Sequence, residues 1–227
     1  MKYEVLYRGA FAMLKVAMEA GERIKAEPGA MVAKTDNIVL ESKLEGGLLG
    51  GLSRKLAGES LFMQSLVAKG EDGEVLLAPA YLGEIADLAM TESVPYLVQK
   101  DGFFAGSDAL TLSTKTQSLA KGLFSGEGFF ILRASGTGTL FISSYGAIHS
   151  IDVPSRKDIL IDNSHLVAWP ESMDYGIEKA GSGWMSSITS GEGLVCRFRG
   201  PGRVYLQTRN PRGFARWLIQ FLPKPRK

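Results

Sequence analysis

Gly83-Glu84-Ile85-Ala86-Asp87-Leu88-Ala89-Met90 reads as a glycine, one free position, then apolar residues separated first by two places and then by one. The same frame opens at Gly9 and at Gly146. Each opening is followed by an apolar pair and an alanine, at Met31-Val32-Ala33, Phe103-Phe104-Ala105 and Leu166-Val167-Ala168. A Gly-Glu pair then follows at Gly58-Glu59, Gly126-Glu127 and Gly191-Glu192. From glycine to alanine the spacings are 24, 22 and 22 residues, and from alanine to Gly-Glu they are 25, 21 and 23. Three ordered marks at near-constant spacing point to a threefold internal repeat. The units cover about 9–82, 83–145 and 146–209, and a helix with a basic tail fills 210–227.

Within a unit the apolar period is two. Leu110 and Leu112 alternate with Thr111 and Ser113, and Ile38 and Leu40 with Val39 and Glu41, as in strands with one covered face. The continuous run Leu140-Phe141-Ile142 suits a strand covered on both faces. Glycine turns at Gly70–Gly73, Gly136-Thr137-Gly138 and Gly200-Pro201-Gly202 separate apolar runs and predict three hairpins. The expected fold is all-β, an antiparallel sandwich or barrel with pseudo-threefold organisation and one C-terminal helix. No Pro/Ser-rich linker interrupts the units, so 1–227 reads as one domain. A hydrophobic content of 45% is ample for its core.

Lys and Arg number 26 against 24 Asp and Glu, a net charge of +2 that does not advertise a nucleic-acid groove. The lone Cys196 lies in an apolar run and reads as a small buried hydrophobe in a reducing compartment. Met1-Lys2-Tyr3-Glu4-Val5 lacks the apolar stretch of a secretory signal, and no run is long enough to span a bilayer as a helix. A cytoplasmic protein, soluble or peripheral to a membrane, is expected.

Asn210 can cap a helix that Pro211 begins, with Phe214, Trp217, Leu218 and Phe221 on one face and Arg212 and Arg216 on the other. That face either closes one end of the β body, the favoured reading, or lies on anionic lipid together with Lys224, Arg226 and Lys227.

Catalytic constellations are absent from the pattern. His149 and His165 are too few and too far apart for a cupin-type metal site. Gly46-Gly47-Leu48-Leu49-Gly50-Gly51 lacks the Gly-Lys-Ser/Thr of a phosphate loop. Glu59, Glu127 and Glu192 could converge on a cation, but a carboxylate that accepts backbone N–H bonds in a turn is the favoured role. No cofactor or metal is expected.

The three segments ahead of Gly-Glu mix glycine with large apolar residues. They carry Leu48, Leu49, Leu52 and Lys55 in the first, Leu119, Lys121, Leu123 and Phe124 in the second, and Trp184, Met185 and Ile188 in the third. Such tips either expose an interaction patch or fold back into the mouths of the β body.

Glu27-Pro28-Gly29-Ala30-Met31, Leu48-Leu49-Gly50-Gly51-Leu52 leading to Gly58-Glu59-Ser60, Gly126-Glu127-Gly128, and Pro201-Gly202-Arg203-Val204-Tyr205-Leu206-Gln207-Thr208-Arg209 together resemble the altered inheritance of mitochondria protein 24 family. The resemblance covers nearly the whole chain. It implies antiparallel layers like those of the tryptophan RNA-binding attenuator protein, and its eukaryotic members imply a link to membrane organisation. No catalytic residues carry over. The expected function is a non-enzymatic, homo-oligomeric scaffold that meets a membrane or membrane protein through the glycine-apolar segments. The alternative is a module binding a small molecule or RNA, with Arg197, Arg199 and Arg203 around Phe198 and Tyr205 as the basic stripe.

Overall fold

The computed structural model describes residues 1–44, 62–115, 131–179 and 194–223. After a leading strand β1 (Lys2–Leu6), the strands fall into three successive sets of six. The first set is β2 (Met13–Met18), β3 (Arg23–Ala26), β4 (Met31–Lys34), β5 (Ile38–Leu44), β6 (Phe62–Ala68) and β7 (Gly73–Leu77). The second is β8 (Ile85–Met90), β9 (Tyr96–Gln99), β10 (Phe103–Ser107), β11 (Thr111–Lys115), β12 (Ile131–Ser135) and β13 (Gly138–Ser143). The third is β14 (Ile148–Val153), β15 (Asp158–Asp162), β16 (Leu166–Pro170), β17 (Asp174–Lys179), β18 (Leu194–Arg199) and β19 (Gly202–Gln207). One α-helix, α1 (Pro211–Ile219), follows.

One pairing scheme serves all three sets. The sixth strand lies between the first and third, and the fifth between the second and fourth, always antiparallel. The sets are joined by β3 with β10 and β9 with β16. Four sheets result: β1-β2-β7-β4, then β5-β6-β3-β10-β13-β8, then β11-β12-β9-β16-β19-β14, and finally β15-β18-β17.

Three apolar cores lie between successive sheets, so the two inner sheets are covered on both faces. In β10, Phe103 enters the second core and Phe104 the first; in β13, Leu140 and Ile142 enter the second and Phe141 the first. This is the physical meaning of the unbroken apolar run Leu140-Phe141-Ile142, because adjacent strand residues point to opposite faces. In the third core Trp169 meets Phe198 and Tyr175 edge-on at 5.4 and 5.2 Å, and Cys196 is fully buried beside them. Burial pushes the Cys196 thiol up to about 12, so it packs as a hydrophobe.

The apolar-apolar-alanine mark is a β-bulge. The register against the sixth strand slips between Met31 and Ala33, between Phe103 and Ala105, and between Leu166 and Ala168. A bulge places two residues against one, so the last two residues of the mark share a core, Phe104 and Ala105 the first and Val167 and Ala168 the second.

Several expectations need correction. The glycine turns do not make hairpins: β6 and β7, β12 and β13, and β18 and β19 belong to different sheets, and each turn carries the chain across a core. The sequential antiparallel pairs within the sets are β5–β6, β11–β12 and β17–β18. Gly9 is not the counterpart of Gly83 and Gly146. Ala12 N–H donates to the Gly83 carbonyl as Glu84 N–H donates to that of Gly146, so Phe11 stands where the later sets have glycine. The two extra residues of the first spacing therefore lie ahead of β2. Leu40 is exposed together with Val39 on β5, a sheet edge, whereas Ile38 reaches the first core.

Candidate functional site

The C-terminal helix is anchored by polar contacts at its base. Asn210 Oδ1 accepts the Arg212 and Gly213 N–H groups at 2.9 and 3.1 Å, capping α1 as its sequence predicts. Its Nδ2 donates to Ser164 Oγ at 2.8 Å, and that hydroxyl donates to Asp162 Oδ1 at 2.6 Å. Gln207 donates to the Ser164 carbonyl and accepts Tyr145 N–H, at 2.8 and 2.9 Å. Its own carbonyl lies 2.7 Å from His165 Nδ1; a carbonyl can only accept, so Nδ1 carries the proton. Thr208 Oγ1 accepts Ala147 N–H at 2.9 Å. The Gln-Thr-Arg mark is thus a clamp around Gly146, where a Cβ would come within 2.5 Å of Thr208 Oγ1.

A cleft of about 410 Å³ opens beside this clamp, walled by Gln99, Asp101, Asp162 and Asn163 on the β side and by Arg212 and Arg216 from α1. Gln99 Nε2 donates to Asn163 Oδ1 at 2.9 Å. Tyr81 stands at the rim, 6.4 Å ring to ring from Tyr145. Nearby Glu27 has its carboxyl pushed up to about 7, first by burial and then by the Asp101 charge, against a hydrogen bond from the Ala80 backbone. Burial and the same carboxylates push the Tyr81 hydroxyl up. The Ser164 hydroxyl proton is committed to Asp162 and His165 holds a backbone carbonyl, so the wall is a set of mutually satisfied hydrogen bonds around a polar hollow.

The apolar face of α1 does not close the β body. No α1 residue is buried; Trp217 is 54% and Phe221, just beyond the helix, 68% exposed. Phe214 reaches Tyr145 at 5.8 Å, and Trp217 stacks on Phe214 and meets Phe221 edge-on at 5.1 Å. Phe214 ties the row to Tyr145, and Trp217 and Phe221 face outward.

All the sequence-selected segment residues, from Leu48 to Lys55, Leu119 to Phe124 and Trp184 to Ile188, lie outside the described residues, as do Glu59, Glu127 and Glu192. The basic stripe is neutralised. Arg197 makes a two-pronged contact with Glu178 at 2.6 and 3.0 Å, Arg199 pairs with Asp174 at 2.8 Å, and Arg203 with Asp152 at 2.7 and 2.9 Å. Phe198 faces the third core rather than the arginines. His149 is exposed on β14. Among the described residues no helix is long and apolar enough to cross a membrane.

Layered antiparallel sheets with one capped C-terminal helix define a class of all-β proteins. Within it, the chain belongs to the mitochondrial biogenesis AIM24 family, whose model matches residues 3–209. An uncharacterized protein of Streptococcus pyogenes serotype M6 is 33% identical over 231 residues, covering 98% of this chain and 92% of its own length. A crystal structure of a Streptococcus pyogenes protein, 32% identical, superposes with a TM-score of 0.82 over 97% of this chain and 99% of that one.

Proposed function

We propose that this protein is a non-enzymatic, self-associating scaffold that docks on an anionic membrane surface, with α1 as its contact element and the glycine-apolar segments as auxiliary contacts. The observation that carries the reading is the outward row Phe214, Trp217 and Phe221, flanked by Arg212 and Arg216. Aromatic rings settle at the boundary between head groups and acyl chains, and each nearby arginine adds about 1 kcal/mol on an anionic leaflet. A short amphipathic helix held to a rigid body by Asn210 presents this face without further ordering.

Co-sedimentation with phosphatidylserine-containing vesicles tests it. Binding should exceed that to phosphatidylcholine alone, weaken with salt, and be lost in Trp217→Asp/Phe221→Asp. Undiminished binding by that variant would move the contact to Leu48, Leu49, Phe124 and Trp184. The cleft beside α1 favours a second reading, a small polar ligand held between Asp101 and Arg216, which calorimetry against metabolite mixtures would detect. The paired arginines weigh against RNA, since phosphate contacts would first have to break those ion pairs.

A further inference from the structure

From the strand order we infer that a second copy of this chain pairs its β15 edge with the β4 edge of the first, forming the third junction of a series that each chain completes only twice. The inference rests on the self-associating part of the proposed function and names its surface. Inside the chain, the second strand of one set pairs with the third strand of the next, β3 with β10 and β9 with β16. Among the described residues, two strands of these kinds remain without such a partner. β15 is the second strand of the last set and β4 the third strand of the first, and each is the terminal strand of its sheet. Joined, they would give the order β17-β18-β15-β4-β7-β2-β1, which repeats that of the second sheet, β5-β6-β3-β10-β13-β8, with β1 added.

Burial marks the vacancy. Ala105 and Ala168, the alanines of the bulge at the two internal junctions, are fully buried, whereas Ala33 is exposed. Phe104 and Val167 are buried, while Val32 at the same place is 56% exposed. Leu97 in β9 is fully buried, and its counterpart Leu160 in β15 is 52% exposed. Both free edges therefore carry apolar side chains that the internal junctions cover.

The register also transfers. At both internal junctions the bulge alanine faces the residue five places before the bulge of the preceding set, Ala105 opposite Ala26 and Ala168 opposite Val98. The same rule places Ala33 opposite Ile161 and Lys34 opposite Leu160 of the partner copy. Lys34 then has Asp158 and Asp162 as diagonal neighbours, within reach of a long side chain. The bulge does not protect the β4 edge, because β10 and β16 carry the same bulge and are paired. The contact is head-to-tail, so copies add in one direction until a ring closes or a filament grows.

The full-length chain tests this. Lys34→Cys and Leu160→Cys are both surface changes, and the native Cys196 is buried. Mixing the two single variants under mild oxidation should give a linked dimer that neither variant gives alone, because opposed residues in antiparallel strands lie about 4.5–5.5 Å apart at Cα, within disulfide range. Wild-type mass in solution should rise with concentration, and Leu160→Asp should weaken that association by about tenfold or more, with a melting temperature equal to the wild type's at dilutions where the wild type is monomeric. An associating wild type that gives no mixed link overturns the edge pairing and leaves self-association standing. A wild type monomeric at every concentration overturns both. A link within one chain carrying both cysteines, or between identical single variants, also overturns it. None of these outcomes bears on vesicle binding through α1, which is read separately.

Discussion

β4 and β10 carry the same apolar-apolar-alanine mark and the same bulge, yet Phe104 has no exposed surface and Val32 is mostly in solvent. The local backbone follows from the mark; the burial follows from what lies on the strand's far edge. β10 has β3 there, and among the described residues β4 has no strand. The difference shows that a unit of this fold is not self-sufficient, because part of its third strand is covered by the preceding set.

The comparison can be broken most forcefully at Phe104. Phe104→Ala should cost about 3–5 kcal/mol in urea unfolding, the usual range for a fully buried aromatic; a loss below 1 kcal/mol would show that the first core is not closed by β10. Gly83→Ala comes next, with about 3 kcal/mol or outright misfolding expected, since a Cβ there would sit 1.5 Å from the Ser144 carbonyl oxygen. Exposed Phe11 at the matching place in the first set should accept alanine with little change in melting temperature.

Glu27 offers a smaller effect with a defined sign. Its folded carboxyl titrates near 7 against an ordinary 4.5, so the unfolded chain gives up its proton first. Stability should therefore fall as pH rises from about 4.5 to 7, by roughly 1–2 kcal/mol once solvent screening of a partly exposed group is allowed for. Glu27→Gln should flatten that slope, as read from melting temperatures across the same interval. Smallest is Val32→Ala, expected to change monomer stability by less than about 0.5 kcal/mol while lowering solution mass at high concentration. A core-sized loss in the monomer would mean that β4 is already covered.

The three-part rhythm, the strand character and the Asn210 cap were legible because each is local: alternation, turn glycines and capping side chains act within a few residues. Sheet membership was not. A glycine turn such as Gly136-Thr137-Gly138 looks alike whether it closes a hairpin or carries the chain over a core. The available hint was that Leu140-Phe141-Ile142 needs two covered faces, which a strand in an isolated half-solvated hairpin does not have. The Gln207 clamp was visible only as part of a family resemblance, since its partners Tyr145 and Ser164 lie 62 and 43 residues away. Amphipathicity identified α1 but could not say what its aromatic face meets, because a core-facing and a lipid-facing stripe have the same spacing. The glycine-apolar segments fall outside the described residues, so their role stays with the proposal.

Each core is walled by at least one inner sheet that draws strands from two successive sets, and this makes the molecule a short one-dimensional lattice with nearest-neighbour coupling. The two inner layers are each held from both sides and the two outer ones from one. Amide exchange should accordingly erode from the margins inward, with β1 and β17 opening before β13 and β9, and joining further copies end to end would turn each margin into an interior.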